Sequence, residues 1–219
     1  MPTMPARSPT GQPARARAWF ASAAGQAVLA SEAEAIRAAL AERPGQPWLW
    51  LTMDPAPGAG EGRGLLLQAE AGGWRGPVRC ALPLPLANES VAAVVLQHST
   101  GGRRGAALLE ECARVLVPGG RLALFGLNPF SPYHARWMGS RPGAAEPSLW
   151  RRRLRAAGLH PDGVSLGLGP RWRIGVDPVL QEGPGLRAAW LLRAEKRAVP
   201  LTPIRARPRP ILAEGVPAA

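Results

Sequence analysis

Apolar residues along the chain form helical periods and short strand-like runs, which glycine and proline separate. The first helix is predicted to begin near Ala18, because four apolar residues recur at spacings of four, three and four: Leu29, Ala33, Ile36 and Leu40. Pro44 and Gly45 then end it. The apolar run that follows, residues 48–53, is short and rich in tryptophan. Its length favours a buried strand over a helix.

The next segment, residues 54–64, reads DPAPGAGEGRG, which predicts a loop because no regular element tolerates so much glycine and proline. A second short strand follows over residues 65–68 and leads to Glu70, and residues 78–81 form a third candidate. Residues 90–98 are almost continuously apolar. Such a run is typical of a strand that is covered on both faces of its sheet.

The clearest helix in the sequence is residues 105–116, where one apolar stripe runs beside charged positions. The sequence Pro118-Gly119-Gly120 ends it, and residues 121–127 form the next strand. Strand, helix, turn and strand in this order make a βαβ crossover, which implies a parallel sheet with covering helices. The predicted fold class is therefore α/β, with a mostly parallel sheet.

The last third of the chain predicts one more helix, residues 147–157, and two strands, residues 164–174 and 186–197. The expected organisation is a single domain with two loose ends. A proline- and arginine-containing N-terminal arm covers residues 1–17, the domain covers 18–199, and a tail rich in proline and arginine covers 200–219.

Composition indicates a folded protein and bears on whether its partner is anionic. The 219 residues include 26 glycines and 25 prolines, yet 46% are hydrophobic, which excludes wholesale disorder. The net charge of +12 would suit nucleic acid or another anionic partner. A phosphate-binding face requires clustered charge, whereas the arginines are scattered apart from residues 151–155 and the tail. Lys196 is the only lysine, and this bias is typical of GC-rich coding.

The two cysteines, Cys80 and Cys112, lie in apolar surroundings with no metal-ligand spacing, so we expect buried free thiols and no metal site. No apolar run reaches the length of a membrane-spanning helix. Ser22, Gly25 and Gln26 interrupt the only stretch that resembles a secretory signal. The expected location is the cytoplasm, without membrane contact.

Two segments in order carry a family resemblance: LPLPLANESVAAVVLQH, and after the helix RVLVPGGRLALFGLNP. Together they resemble the second half of a class I S-adenosylmethionine-dependent methyltransferase of the type 11 kind. The stretches AWFASAAGQAVLASE and RAEKRAVPLTPIR are similar to those of a bacterial subgroup of methyltransferase-like proteins. The resemblance spans roughly residues 18–206. It implies a doubly wound, mostly parallel sheet of about seven strands, with the cofactor S-adenosylmethionine at the carboxyl ends of the first strands.

The resemblance also implies which residues bind the cofactor. Asp54 would end the first strand, and Gly58 and Gly60 in the glycine-rich loop would let the backbone approach the cofactor. Glu70 would accept the ribose hydroxyls at the end of the second strand. Here the apolar strand at Leu65 resumes directly after the glycines, so the first crossover is shortened and lacks the family's helix.

Two residues are candidates for a catalytic role in methyl transfer. His98 and Asn128 each end a predicted strand at the edge where a methyl acceptor would approach. Histidine can act as a base near neutral pH, but a histidine at a strand end is more often structural. Asn128-Pro129 resembles the polar-proline pair of amine-modifying methyltransferases, and it also fits an ordinary turn.

The resemblance therefore implies a methyltransferase that acts on an unknown acceptor. The alternative is a non-catalytic protein that keeps the fold as a binding or scaffolding module, with an anionic partner such as nucleic acid. The GAGEG run and Glu70 favour the enzyme, whereas the shortened crossover favours the alternative. A cleft filled by tryptophan or arginine side chains beside Glu70 and His98 would also favour the alternative.

Overall fold

A computed structural model describes residues 11–53, 62–70, 72–99, 105–132, 144–171 and 187–197. The helices within these ranges are α1 (Gly11–Phe20), α2 (Ala23–Ala41), α3 (Gly105–Val115) and α4 (Pro147–Ala156). The first strands are β1 (Trp48–Thr52), β2 (Gly64–Glu70), β3 (Gly73–Arg75), β4 (Arg79–Cys80) and β5 (Val91–Gln97). The remaining strands are β6 (Leu116–Leu127), β7 (His160–Pro161), β8 (Leu166–Arg171) and β9 (Arg187–Glu195).

All the described strands join one sheet in the order β4-β3-β2-β1-β5-β6-β9-β7, with β8 also paired to β9. The centre of this sheet is parallel: β1 pairs with β2 and β5, and β5 pairs with β6. The outer strands are antiparallel on both sides. The predicted α/β class with a mostly parallel centre is confirmed, and the βαβ unit consists of β5, α3 and β6.

Alternation along the central strands sends side chains to two helical layers. On one face, α2 packs through Ile36, Ala39 and Leu40 against a row of large side chains: Trp48, Trp50, Val95, Phe125 and Leu191. The opposite face packs on α3 and α4 through the intervening residues, among them Leu49, Leu51, Val94, Leu96 and Leu124. Both faces of β1 and β5 are buried, which explains their continuous apolar sequences.

The N-terminal helix differs from the prediction. Helix α1 begins at Gly11, within the segment expected to be a loose arm, and Trp19 and Phe20 at its end are buried in the core. Tertiary packing of these two rings stabilises a helix whose sequence has no clear apolar period. Gly25 allows α1 to fold back on α2, because a Cβ there would overlap the backbone of Trp19 and Phe20.

Two further differences lie in the strands. No strand was predicted between Glu70 and residue 78, but Trp74 lies on β3 and is buried beside β2, since the segment after Glu70 forms a hairpin. Strand β6 begins at Leu116, earlier than residue 121, because Leu116 pairs with Val91. The glycines that were predicted to end α3 lie inside β6, where Gly119 has a positive φ of 75° and donates to the Lys196 carbonyl. The C-terminal tail lies outside the described residues.

Candidate functional site

The parallel strands end together at one edge of the sheet, and this carboxyl edge is the candidate site. Strands β1, β2 and β5 end there at Thr52, Glu70 and Gln97. Open α/β sheets bind ligands at this edge, where the strand order reverses. In this sheet the reversal lies between β1 and β5, because β2 extends the sheet in one direction from β1 and β5 in the other.

A buried polar network crosses the carboxyl edge between β1, β5 and α2. The Thr52 hydroxyl donates to Gln97 Oε1 at 3.0 Å, and Gln97 Nε2 donates to Glu32 Oε2 at 2.8 Å. His98 Nε2 lies 2.9 Å from Glu32 Oε1 and 3.1 Å from Oε2. Thr52, Gln97 and Glu32 are each 0% exposed. A buried carboxylate is costly unless hydrogen bonds compensate it, and here two side chains do so.

His98 is held on several sides. Its side chain is 3% exposed, and its ring stacks on Phe20 with the centroids 4.6 Å apart. Its backbone has a φ of 52°, in the left-handed region that non-glycine residues rarely adopt, and its N–H donates to the Phe125 carbonyl. His98 was expected at this edge from the sequence, and the structure places it there beside Glu32.

Among the described residues, six buried side-chain polar atoms have no hydrogen-bond partner, and three of them lie at the carboxyl edge: Nδ1 of His98, Oγ of Ser99 and Nε of Arg17. The other three belong to Trp48, Trp50 and Arg193. Such atoms are rare in folded proteins, because each costs the free energy of its lost hydration. Arg17 belongs to this edge because its Nη2 donates to the Ala69 carbonyl near the end of β2. The edge therefore offers one hydrogen-bond donor, one hydroxyl and one imidazole nitrogen to a polar group.

Glu70 ends β2, as the sequence indicated, and its carboxylate contacts two arginines of the following hairpin. Arg75 Nη1 lies 3.3 Å from Oε1 and Arg79 Nε lies 3.5 Å from Oε2. The Glu70 side chain is 28% exposed. A carboxylate has about four acceptor positions, so these exposed ion pairs leave it able to accept further hydrogen bonds.

Helix α1 lies over the ends of the strands. Arg17 contacts the end of β2, and Phe20 contacts His98 after β5. Trp19, which is 5% exposed, belongs to the same core cluster as Met53 and Ala69. Aromatic side chains and an arginine therefore cover the carboxyl edge in this conformation.

Asn128 follows β6 and is 1% exposed. Its Nδ2 donates to the Arg187 carbonyl at 3.0 Å, and its Oδ1 accepts from the Phe130 N–H at 3.1 Å. These bonds anchor the turn after β6 to the start of β9. A structural role accounts for these contacts, and a catalytic role for Asn128 stays a prediction.

The remaining predicted cofactor residues, Asp54, Gly58 and Gly60, lie outside the described residues. Cys80 and Cys112 are both free cysteines, and Cys112 is buried whereas Cys80 is half-buried. Within the described ranges no group of three or more histidine, cysteine, aspartate or glutamate side chains could hold a metal. None of the described helices is both long and apolar enough to cross a membrane.

One cavity lies away from this edge. It measures about 180 Å³ at the amino ends of β1 and β2, and its lining includes Arg43, Gln46, Trp48 and Arg63. Because ligands of open α/β sheets bind at the opposite ends of the strands, this cavity does not belong to the candidate site.

Sequence reasoning did not identify Glu32, although the sequence contains a signal for it. The buried face of α2 runs through Val28, Leu29, Ile36 and Leu40, and Glu32 occupies the position between Leu29 and Ile36. A charged residue on the apolar face of a helix needs a buried partner. The sequence does not identify that partner, because His98 lies 66 positions further along the chain.

Solved structures of methyltransferases share this fold. One is an S-adenosylmethionine-dependent methyltransferase of Thermotoga maritima described as a possible histamine N-methyltransferase, with a TM-score of 0.54 and 17% identity over 82% of this chain and 94% of that one. Another is geranyl diphosphate C-methyltransferase of Streptomyces coelicolor, solved with Mg²⁺, geranyl diphosphate and S-adenosylhomocysteine. Its TM-score is 0.54, with 17% identity over 89% of this chain and all of that one.

No protein-family model matches the chain. No curated protein sequence matches it either. At this level of identity the structural likeness concerns the fold. The chain has the fold of class I S-adenosylmethionine-dependent methyltransferases, as its motifs predicted.

Proposed function

We propose that the protein is an S-adenosylmethionine-dependent methyltransferase and that its site is the carboxyl edge between β1, β2 and β5. The observation that carries this proposal is the set of unpartnered buried atoms on Arg17, His98 and Ser99. They lie at the carboxyl edge, where open α/β sheets bind their ligands. A ligand with polar groups would satisfy them.

The residues at this edge fit the cofactor. Glu70 is the residue that would accept the ribose hydroxyls, since it is partly exposed at the end of β2. Arg17 Nε would donate to a polar group of the same ligand. Asp54, Gly58 and Gly60 complete the proposed cofactor set from the sequence. When bound, the cofactor supplies an electrophilic methyl group on a sulfonium sulfur.

The protein's own contribution is to exclude water and to align the acceptor. Trp19, Phe20 and Met53 give the edge an apolar cover, which strengthens the electrostatic interactions beneath it. Alignment of a nucleophile with a methyl group carries much of the rate, because bound reactants have high effective concentrations. His98, at the end of β5, is the residue that we assign to the acceptor side.

Titration calorimetry with S-adenosylmethionine and S-adenosylhomocysteine tests the proposal. We expect binding of both ligands, and we expect Glu70→Ala to abolish or greatly weaken it. Glu110→Ala is the matched control, because Glu110 is an exposed glutamate on α3. The absence of heat at high micromolar cofactor with a folded protein would rule out the enzyme.

A second candidate function is a non-catalytic binding or scaffolding protein with the same fold. Helix α1 favours it, because Trp19, Phe20 and Arg17 cover the carboxyl edge. The connection from Thr52 to Gly64 also favours it, because its short sequence, rich in glycine and proline, leaves no room for a helix that would direct its N–H groups at an anionic group. Calorimetry distinguishes the two functions, since a scaffold would bind neither ligand.

An anionic partner such as nucleic acid belongs to this second candidate. Two of the arginines on α4 are already engaged: Arg153 lies over the Trp150 ring, and Arg151 donates to the Asp162 carbonyl. We therefore expect only weak retention on a polyanion column, which is lost as the salt concentration rises. Retention well above physiological salt would instead favour the nucleic-acid partner.

We also propose that the protein acts in the cytoplasm of a bacterial cell. Two free thiols, Cys80 and Cys112, support a reducing compartment. Fractionation of the expressing cells tests this location, and recovery in the periplasm would contradict it.

A further inference from the structure

Glu32 and His98 form a buried pair, and cofactor binding alone does not explain why a carboxylate lies next to this histidine. Glu32 lies in the apolar face of α2, and both of its carboxylate oxygens are within 3.1 Å of His98 Nε2. Replacing a buried charged pair by apolar residues is often neutral or stabilising. Packing of α2 on the sheet therefore does not explain why a carboxylate occupies this position.

The contacts of Glu32 fix which nitrogen of His98 carries a proton. A carboxylate only accepts hydrogen bonds, so Nε2 must carry a proton, and a neutral imidazole then has none on Nδ1. The lone pair of that imidazole is then on Nδ1, and Nδ1 is the atom without a partner. An imidazole that is oriented by a carboxylate through one nitrogen and has no partner at the other is the arrangement of a general base.

The surroundings restrict this imidazole to one orientation. Phe20 stacks on the ring face at 4.6 Å with an interplanar angle of 30°, which leaves the ring edge with Nδ1 uncovered by that contact. Gln97, the residue before His98, donates through Nε2 to Glu32 Oε2 at 2.8 Å. Ser99, the residue after His98, has the unpartnered hydroxyl. These contacts prevent Glu32 and His98 from rotating independently.

We propose that Glu32 is a positioning residue for His98, and that Nδ1 of His98 accepts a proton from the methyl acceptor. The acceptor atom is then a nitrogen or oxygen that carries a hydrogen, as in an amine, an imidazole or a phenol. This inference rests on the proposed function, because it assigns the acceptor class of the same site.

The acceptor lone pair forms the bond to the methyl carbon, and the carbon–sulfur bond breaks with its electron pair going to sulfur. The acceptor proton goes to Nδ1 of His98, which makes the ring an imidazolium. The carboxylate of Glu32 at 2.9 Å stabilises that positive charge, and solvent takes the proton after product release.

Nitrogen NMR of histidine-labelled protein tests the positioning role without turnover. The chain has three histidines, and His98→Asn identifies the signals of His98. We expect Nε2 of His98 to carry the proton and Nδ1 to carry none, as the contact with Glu32 requires. A ring that is protonated on Nδ1, or on both nitrogens, would overturn the proposal.

The variant Glu32→Gln tests whether the carboxylate fixes this tautomer. The glutamine oxygen would accept from Gln97, and its NH₂ group would face His98 Nε2. We therefore expect the Nδ1–H form of His98 to increase. Glu34→Gln, an exposed change on the same helix, should leave the tautomer unchanged. An unchanged tautomer in a folded Glu32→Gln protein would overturn the positioning role.

A matched pair of probes tests the acceptor class. With S-adenosylhomocysteine present, phenol should shift the Nδ1 signal of His98, whereas anisole, which lacks the hydroxyl hydrogen, should not. Equal shifts from both probes, or no shift from phenol, would overturn the assignment. Calorimetry on the same samples separates the two proposals. If the cofactor binds but the Nδ1 signal does not change, only the proposed role of Glu32 and His98 is contradicted. If the cofactor does not bind, the proposed function itself is contradicted.

Discussion

Arg114 and Glu111, one turn apart on α3, form a two-point ion pair that also fixes the loop before β5. Arg114 donates through Nε and Nη2 to the two Glu111 oxygens at 3.0 and 2.8 Å. The same guanidinium donates to the Leu84 and Leu86 carbonyls, and Glu111 accepts from the Leu84 N–H. Arg114, the first residue of the RVLVPGG segment, thus connects α3 to the LPLPLANES segment before β5.

This ion pair predicts a pH dependence of stability. The hydrogen bond from Arg114 lowers the pKa of Glu111 below its ordinary value of 4.5, with the Leu84 N–H acting in the same direction. A carboxyl with a lowered folded pKa stabilises the protein above its unfolded pKa and loses that effect as the pH falls through the folded pKa. Glu111→Gln should therefore cost about 1.5–3 kcal/mol at pH 7 and progressively less below about pH 4.5.

Urea unfolding of the wild type and Glu111→Gln between about pH 3 and 8 measures this difference. Glu110→Gln is the control, because Glu110 is exposed on the same helix. A stability difference that stays constant over this pH range would contradict the role of the ion pair.

The sequence predicted the centre of the fold because the signal there is local. Residues 90–98 were predicted as a strand, and β5 spans Val91–Gln97 with every residue buried. Helix α3 was predicted within one residue of its observed end, since its apolar stripe repeats over three turns. Glu70 was assigned from the family resemblance, and His98 from its place at the end of a predicted strand.

The parts that were missed depend on contacts between distant residues. Helix α1 is stabilised by the burial of Trp19 and Phe20 against strands that come later in the chain. The role of Glu32 depends on His98, 66 residues away. Periodicity assigned Ala33 to the buried face of α2, but it carries no information about which polar residue shares that face. Hydrogen-bond partners across a sheet edge follow from topology, which a single sequence only indicates.

Gly126 should be intolerant of a side chain. It lies in β6 beneath Trp190, which is fully buried and donates through Nε1 to the Leu127 and Ala145 carbonyls. A Cβ at position 126 would overlap the Trp190 ring. Because both hydrogen bonds fix that ring, we expect Gly126→Ala to cost about 3 kcal/mol.

Thermal and urea unfolding check this cost. Gly163→Ala is the control, since nothing lies within 4 Å of a Cβ built there, and we expect it to be neutral or slightly stabilising. Similar stabilities of the two variants would show that the ring can move away.

The two thiols should differ in reactivity. Burial raises the pKa of Cys112, with the charge of Glu111 acting in the same direction, and burial also raises the pKa of the half-buried Cys80. Since the thiolate is the reactive form, Cys112 should react with a thiol reagent only after unfolding. Cys80 should react slowly in the native protein.

Single-cysteine proteins separate the two rates. Cys80→Ala reports Cys112, and Cys112→Ala reports Cys80, each measured with and without denaturant. Rapid modification of Cys112 in the folded Cys80→Ala protein would contradict the burial that the structure gives it.

Phe20 should hold α1 on the carboxyl edge. It is 1% exposed, contacts Trp19 edge to face at 4.8 Å and stacks on His98. Phe20→Ala should therefore cost about 3–5 kcal/mol, as expected for loss of a buried ring. Because Arg17 lies on the same helix, we also expect faster tryptic cleavage after Arg17. Phe130→Ala, at a residue that is 70% exposed, should change stability by less than about 0.5 kcal/mol. If both variants unfold and are cleaved alike, α1 is not anchored by this ring.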